Sequence, residues 1–217
     1  MKVIKQILRI IIYIIIAIAV SIALSFSVIY YQTSRENFKY QEEIEKYANE
    51  YNMDPMLISA IVKVESGFNN EAQSQKDAKG LMQLMNETAQ HISDLEGIDY
   101  IPEKLEDPDY NLMLGTSYIR YLYDYYGNID LALAAYNGGI GNVDDWIKDG
   151  TIQRNNPNVD NIPIEETRQY VKKVNANYNV MRTFYKDKLP KDTENQKTIT
   201  RAINNYKSFL KVILFNA

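Results

Sequence analysis

A chain of 217 residues with 46% apolar content is long enough for one domain of ordinary size plus an appendage. The absence of cysteine excludes disulfide scaffolds, thiol catalysis and cysteine-based metal sites, and the single histidine, His91, has no second histidine to complete a metal site. A net charge of −4 argues against nucleic acid as a partner, because phosphate contacts need clustered lysine and arginine.

The first element is apolar. Ile10 to Tyr31 runs for 22 residues without a charge, about 33 Å of helix against a bilayer core of about 30 Å. Lys2, Lys5 and Arg9 precede it, so the positive-inside rule places residues 1–9 in the cytoplasm and the chain beyond Tyr31 outside. Tyr30 and Tyr31 stand where an aromatic belt meets the outer interface. The alternative is a signal peptide cleaved after Ser25 or Ser27. The apolar run exceeds the usual 7–15 residues of such a peptide, and Ser25-Phe26-Ser27 is a poor cleavage site, which favours an uncleaved signal-anchor. The first 31 residues carry three basic groups and no acid, leaving 21 of the 24 basic and all 28 acidic residues to the remainder: a net of +3 joined to −7. Residues 32–41 read as a tether that keeps the exported part close to the membrane.

The exported chain shows helical spacing throughout and almost no strand signal. Ile44, Tyr47, Ala48 and Tyr51 mark one helix. Asp54-Pro55, a cap followed by proline, opens a second that Gly67 ends, and a polar loop covers residues 69–79. Asp107-Pro108 repeats the device before a long helix from Tyr110 to Tyr126. Asp130 is a candidate cap for Leu131–Tyr136, and Gly138-Gly139 breaks that helix. Asn142–Lys148 and Ile164–Lys186 come next, separated by a turn-rich loop, residues 155–161. The expectation is an all-α domain over residues 42–187. In residues 188–217, an apolar stripe from Ile199 to Leu214 with Lys197, Arg201, Lys207 and Lys211 largely off it predicts an amphipathic helix over 194–216. That helix packs either on the domain or on the membrane surface.

Glu65 is the informative residue. It ends an apolar helix beside Val62, Val64 and Phe68, surroundings that raise the pKa of a carboxylic acid as a general acid requires. Alone, an acid at a helix end is a solvated side chain far more often than a catalyst. It is joined by Ser66-Gly67-Phe68, then Gly80-Leu81-Met82-Gln83-Leu84-Met85 with Thr88-Ala89, Asn111 and Gly115, Ala135-Tyr136-Asn137-Gly138-Gly139-Ile140-Gly141-Asn142-Val143, and Glu166-Thr167-Arg168-Gln169-Tyr170-Val171. This ordered set resembles the SLT-type lytic transglycosylases, lysozyme-like enzymes that cleave peptidoglycan, over roughly residues 42–186. The chain departs from the family pattern at Asn86, where proline is common, and at Gly138, where alanine is common; altered local rigidity is expected there rather than lost chemistry.

The resemblance implies a lysozyme-like helical fold and Glu65 as single acid/base catalyst. It also implies cleavage between N-acetylmuramic acid and N-acetylglucosamine with 1,6-anhydro ends, on peptidoglycan glycan strands, with no cofactor and no metal. The sequence points to no particular protein partner. Ser66 either orients Glu65 or caps the helix. Met82 and Gln83 line the sugar cleft, as in the family. Tyr136 and Asn137 offer a stacking face and an amide to the sugar, or Tyr136 is packing alone. Glu166 contacts substrate or pairs with Arg168. Tyr170 resembles the family tyrosine whose hydroxyl approaches the acid, or packs only. Asp77 is the best candidate for a second carboxylate, against its reading as a turn residue. Two other functions stand open: a hydrolase on the same fold, needing a second carboxylate, and a wall-binding protein without activity.

Overall fold

A computed structural model describes residues 2–35, 39–185 and 198–215. Its described residues form nine α-helices and two short 3-10 turns, with no strand. The helices divide between two units. One holds α1 (Lys2–Arg35) and α9 (Thr198–Phe215), and the other holds everything from α2 to α8.

α1 is longer than the charge-free stretch. It stays helical through the first residues of the expected tether to Arg35, while residues 36–38 lie outside the described ones, as do residues 186–197. Val3–Thr33 is long and apolar enough to cross a membrane, and its isoleucines from Ile4 to Ile22 are exposed. α9 packs on α1, an arrangement that neither reading of the C-terminal stripe anticipated.

In the second unit, α2 (Gln41–Glu50), α3 (Pro55–Glu65), α4 (Asn86–Glu96), α5 (Pro108–Tyr126), α6 (Ile129–Gly138), α7 (Ile140–Lys148) and α8 (Glu165–Tyr185) succeed one another in order. Local chemistry sets their starts. The Asp54 carboxylate accepts from the Met56 amide at 2.8 Å, and Asp107 accepts from Tyr110 at 3.0 Å. α6 begins earlier than expected because Asn128, not Asp130, caps it, accepting from the amides of Asp130 and Leu131. Asp130, now inside the first turn, accepts from Asn175 of α8 at 2.7 Å instead.

α3 is the hub. Every residue from Met56 to Val62 is buried, so the helix runs through the core between α2 and α8. α6, buried from Leu131 to Ala135, packs on α5, α7 and α8. Leu81, Met82 and Leu84, in the loop between α3 and α4, are also buried, although their backbone belongs to no helix. That loop closes on itself through a Lys79–Leu84 backbone pair, and one side-chain amide ties it to α5. Asn111, fully buried on α5, accepts from the Met82 amide at 2.8 Å and donates to the carbonyls of Lys79 (3.0 Å) and Leu105 (2.7 Å). Gly80 lies against it at φ 76°, where a Cβ would stand 2.3 Å from both Asn111 Nδ2 and the Leu105 oxygen. Met82 lies flat on Gly115, whose hypothetical Cβ would be 2.4 Å from the Met82 sulfur.

Two substitutions test this knot. Asn111→Ala orphans the buried Met82 amide and the Leu105 carbonyl, while the Lys79 carbonyl keeps the Leu84 amide, and should cost about 3 kcal/mol. Gly80→Ala meets a backbone carbonyl at a φ that L-residues avoid, and should cost at least about 2 kcal/mol. Urea unfolding followed by the single tryptophan, Trp146 in this unit, reads both. Midpoints within 0.2 M of the parent protein would refute the assignment.

Candidate active site

Glu65 is the last residue of α3, and Ser66 closes the helix, its amide bonding to the carbonyl of Val62. Gly67 and Phe68 then both adopt left-handed backbone, φ 60° and 65°, and turn the chain away from the helix axis. For Phe68 this conformation is costly; its buried ring is held in the core. The turn leaves Glu65 half-buried on the wall of a cleft of about 400 Å³. Three other segments complete the cleft: the loop at Ser74–Ala78 with Gln83 and Met85, the end of α6 with Tyr136 and Asn137, and Glu166 at the start of α8.

Burial raises the pKa of Glu65 from 4.5 to about 7, because the ionised carboxylate has lost most of its water. Its place at a helix C-terminus, the negative end of the dipole, acts in the same direction. The Tyr170 hydroxyl opposes the shift. It is buried and has no partner at ordinary hydrogen-bond geometry among the described residues, yet it stands near enough to the Glu65 carboxyl to favour the ionised form. Burial and the nearby Glu65 charge in turn push both Tyr170 and Tyr136 well above the usual phenol range, so both remain protonated donors. A carboxyl that gains and loses its proton near neutrality, beside a neutral donor and an open cleft, can serve as both general acid and general base.

The remaining expected site residues have distinct places. Ser66 does not bond to Glu65. Its hydroxyl lies within bonding distance of the carbonyls of Leu81 (2.8 Å) and Val62 (3.2 Å), tying the helix end to the 79–84 loop. Met82 is fully buried, behind the cleft rather than on it, and its carbonyl accepts from the Tyr136 hydroxyl at 2.7 Å. Gln83 faces the cleft with its amide donating to the Ala72 and Gly80 carbonyls, and its φ of 47° is left-handed. Asn137 and Glu166 are on the cleft wall. The ion pair considered for Glu166 belongs to Glu165, which pairs with Arg168. Asp77 accepts from Gln73 (2.5 Å) and Asn86 (3.2 Å) and sits at φ 61°, a turn residue that steadies the loop and does not line the cleft. Ser74, Gln75, Lys76, Ala78 and Met85 are cleft residues that sequence reasoning missed; the polar loop that carries most of them was visible, but nothing in it marked a site.

Residues 42–158 match the transglycosylase SLT domain family. The chain belongs to that family. It is 36% identical over 164 residues to the soluble lytic murein transglycosylase of Salmonella typhimurium, an overlap of 73% of this chain and 25% of that protein. It is 38% identical over 116 residues to the membrane-bound lytic murein transglycosylase C of Yersinia pestis, covering 48% and 32%. Among solved structures, the 70 kDa soluble lytic transglycosylase of Escherichia coli superposes with a TM-score of 0.62 at 34% identity, over 69% of this chain and 25% of that one. An inactive mutant of lytic transglycosylase Slt from Pseudomonas aeruginosa gives the same TM-score at 32% identity, over 70% and 25%. This SLT chain thus spans about a quarter of the length of the soluble relatives it matches.

The two departures from the SLT pattern have visible surroundings. Asn86, the first residue of α4, donates to Asp77 and accepts from the Tyr100 hydroxyl at 2.7 Å. At Gly138 a Cβ would stand 2.8 Å from the Thr167 hydroxyl, which occupies the space an alanine methyl would need.

The Glu65 shift carries a stability signature. The folded state holds the proton to about pH 7 and the unfolded chain only to about 4.5, so stability falls as pH rises between those values and is level outside them. Glu65→Gln removes the dependence; relative to the parent protein it should gain on the order of 1–3 kcal/mol between pH 4 and pH 8. Tyr170→Phe deletes the group that favours ionisation and should move the Glu65 titration higher still, read by carbon-13 NMR of the glutamate carboxyls. A lower Glu65 pKa in that variant would refute the contact.

Proposed function

We propose that this chain is a membrane-anchored lytic transglycosylase of peptidoglycan, with Glu65 as its single acid/base catalyst. The observation that carries the reading is a half-buried glutamate with a pKa near 7 in the cleft of an SLT domain. In the reaction, protonated Glu65 gives its proton to the glycosidic oxygen between N-acetylmuramic acid and N-acetylglucosamine as the C1–O bond breaks. The substrate's N-acetyl group stabilises the anomeric carbon. Ionised Glu65 then takes the proton from the muramyl C6 hydroxyl while that oxygen bonds to C1, leaving a 1,6-anhydro end and the starting enzyme. Proton and electron pairs balance without water. Tyr170, neutral and buried, suits the interval when Glu65 is ionised; Asn137 offers an amide to the sugar and its N-acetyl groups, and Gln83, its amide nitrogen already donating to the Ala72 and Gly80 carbonyls, offers its side-chain oxygen.

Membrane attachment rests on the length and apolar surface of α1, on Lys2, Lys5 and Arg9 before it, and on the membrane-bound relative. In this reading α1 crosses once, with residues 1–9 cytoplasmic and the SLT domain outside. The acidic balance of that domain leaves glycan recognition to amides and aromatic faces rather than to bulk charge. The wall-binding reading without activity gains nothing from a carboxyl tuned to neutrality.

One observation supports a rival. Glu166 on the cleft wall is a second carboxylate, which a hydrolase needs to activate water or stabilise the intermediate. Mass spectrometry of digested peptidoglycan separates the two, since anhydro ends are lighter by one water. The expected result is anhydro ends from the parent protein and a loss of at least 10³-fold in Glu65→Gln. Glu166→Gln should keep the anhydro product within about tenfold of the parent rate. Reducing muramic ends that vanish in Glu166→Gln would establish the hydrolase.

A further inference from the structure

The unit formed by α1 and α9 carries an inference independent of the cleft, resting only on the reading that α1 crosses the membrane. Near its start α9 meets the outer end of α1. The Asn205 amide donates to the Thr33 hydroxyl at 3.0 Å, and Arg201 donates to the Thr33 carbonyl at 3.4 Å. One residue further along α9, Tyr206 turns to earlier residues of α1: its hydroxyl is 3.1 Å from Ser25 Oγ, and its ring meets Phe26 edge-on at 5.5 Å. Rising numbers in α9 meet falling numbers in α1, so the helices run antiparallel. Ile29 and Ala202 are buried, as are Thr33 and Asn205, giving the unit a small interior in which a polar pair fixes the register.

An antiparallel α9 heads back toward the membrane. From Asn205 to Leu214 it advances about 13 Å, which fits within the roughly 15 Å of one leaflet's hydrocarbon. Over that distance its character changes. Ile199 and Ile203 are single exposed apolar residues among polar ones, but Val212, Ile213 and Leu214 are consecutive and all exposed, Leu214 at 67%. Three successive helical residues cover about 200° of the circumference. A helix lying flat on a surface buries one stripe and keeps the rest polar, whereas exposed apolar residues over more than half the circumference call for an apolar medium on most sides. Lys207 and Lys211, exposed on the same helix, have stems long enough to carry their charges back toward the headgroups.

We infer that α9 is inserted into the outer leaflet alongside α1 as the second arm of a membrane hairpin, with Val212, Ile213 and Leu214 against lipid acyl chains. The SLT domain lies in the chain between the two arms, so the membrane holds it at both ends.

The chain has no cysteine, so single-cysteine variants of the full-length protein take one label each. Ile16→Cys, Ile199→Cys and Ile213→Cys all fall at exposed positions, and none disturbs packing. Each is labelled with an environment-sensitive fluorophore in vesicles of phosphatidylcholine and phosphatidylglycerol. Quenching is then compared between a headgroup nitroxide, an acyl-chain nitroxide and aqueous iodide. The expected result is at least twofold stronger acyl-chain than headgroup quenching at residues 16 and 213, with the reverse at 199. Headgroup-depth quenching at both 199 and 213 overturns insertion in favour of a surface helix. Iodide access at 213, or shielding from all three quenchers, overturns it in favour of water or a protein contact. Iodide access at 16 refutes the spanning of α1 itself, so failure of the premise is told apart from failure of the inference.

Discussion

The SLT domain turns on the side-chain amide of Asn111. The loop from Lys79 to Leu84 has no helix to satisfy its backbone, yet it puts Leu81, Met82 and Leu84 into the core. Buried backbone polar groups without partners would make that placement too costly. Backbone bonds of the loop itself meet part of the requirement, and Asn111 supplies the rest from a rigid helix, one acceptor and two donors used at 2.7–3.0 Å, while Gly80 permits the approach by having no Cβ. The loop so fixed accepts the Ser66 hydroxyl on the Leu81 carbonyl and the Tyr136 hydroxyl on the Met82 carbonyl. The end of α3 and the end of α6 are therefore both referenced to one buried loop, and the cleft between them inherits its geometry.

Glu65 occupies the point where this scaffold meets water. α3 is buried along seven successive residues and becomes accessible only in its last turn. The carboxyl is desolvated by the core behind it while the cleft in front remains open. One residue therefore combines a raised pKa with exposure to an open cleft. The tyrosines around it stay protonated for the same reason, since burial beside a carboxylate opposes a second negative charge.

The charge division has a physical counterpart in the two units. A cationic, apolar pair of helices carries no element of the cleft, and the acidic SLT unit carries all of it. The buried polar side chains of the helix pair, Thr33 and Asn205, are bonded to each other, whereas in the SLT unit polar groups line loops and caps. Each unit is suited to its own solvent.

Much of this protein was legible in the linear chain. The 22-residue apolar run, the two Asp-Pro helix starts and the helical spacing are local features, and local backbone and solvation physics decides them. The raised pKa of Glu65 was legible as well, because apolar residues flank it in the chain. The cap of α6 was misread at Asp130 since two nearby residues offered equivalent side chains and backbone geometry favoured Asn128. Tertiary structure alone decided the rest: that Met82 lies behind the cleft, that Ser66 serves the loop rather than the acid, that Glu165 takes the arginine and leaves Glu166 on the wall, and that α9 pairs with α1. Each depends on which distant group fills a shared space or satisfies a buried atom, and linear spacing carries no record of that competition.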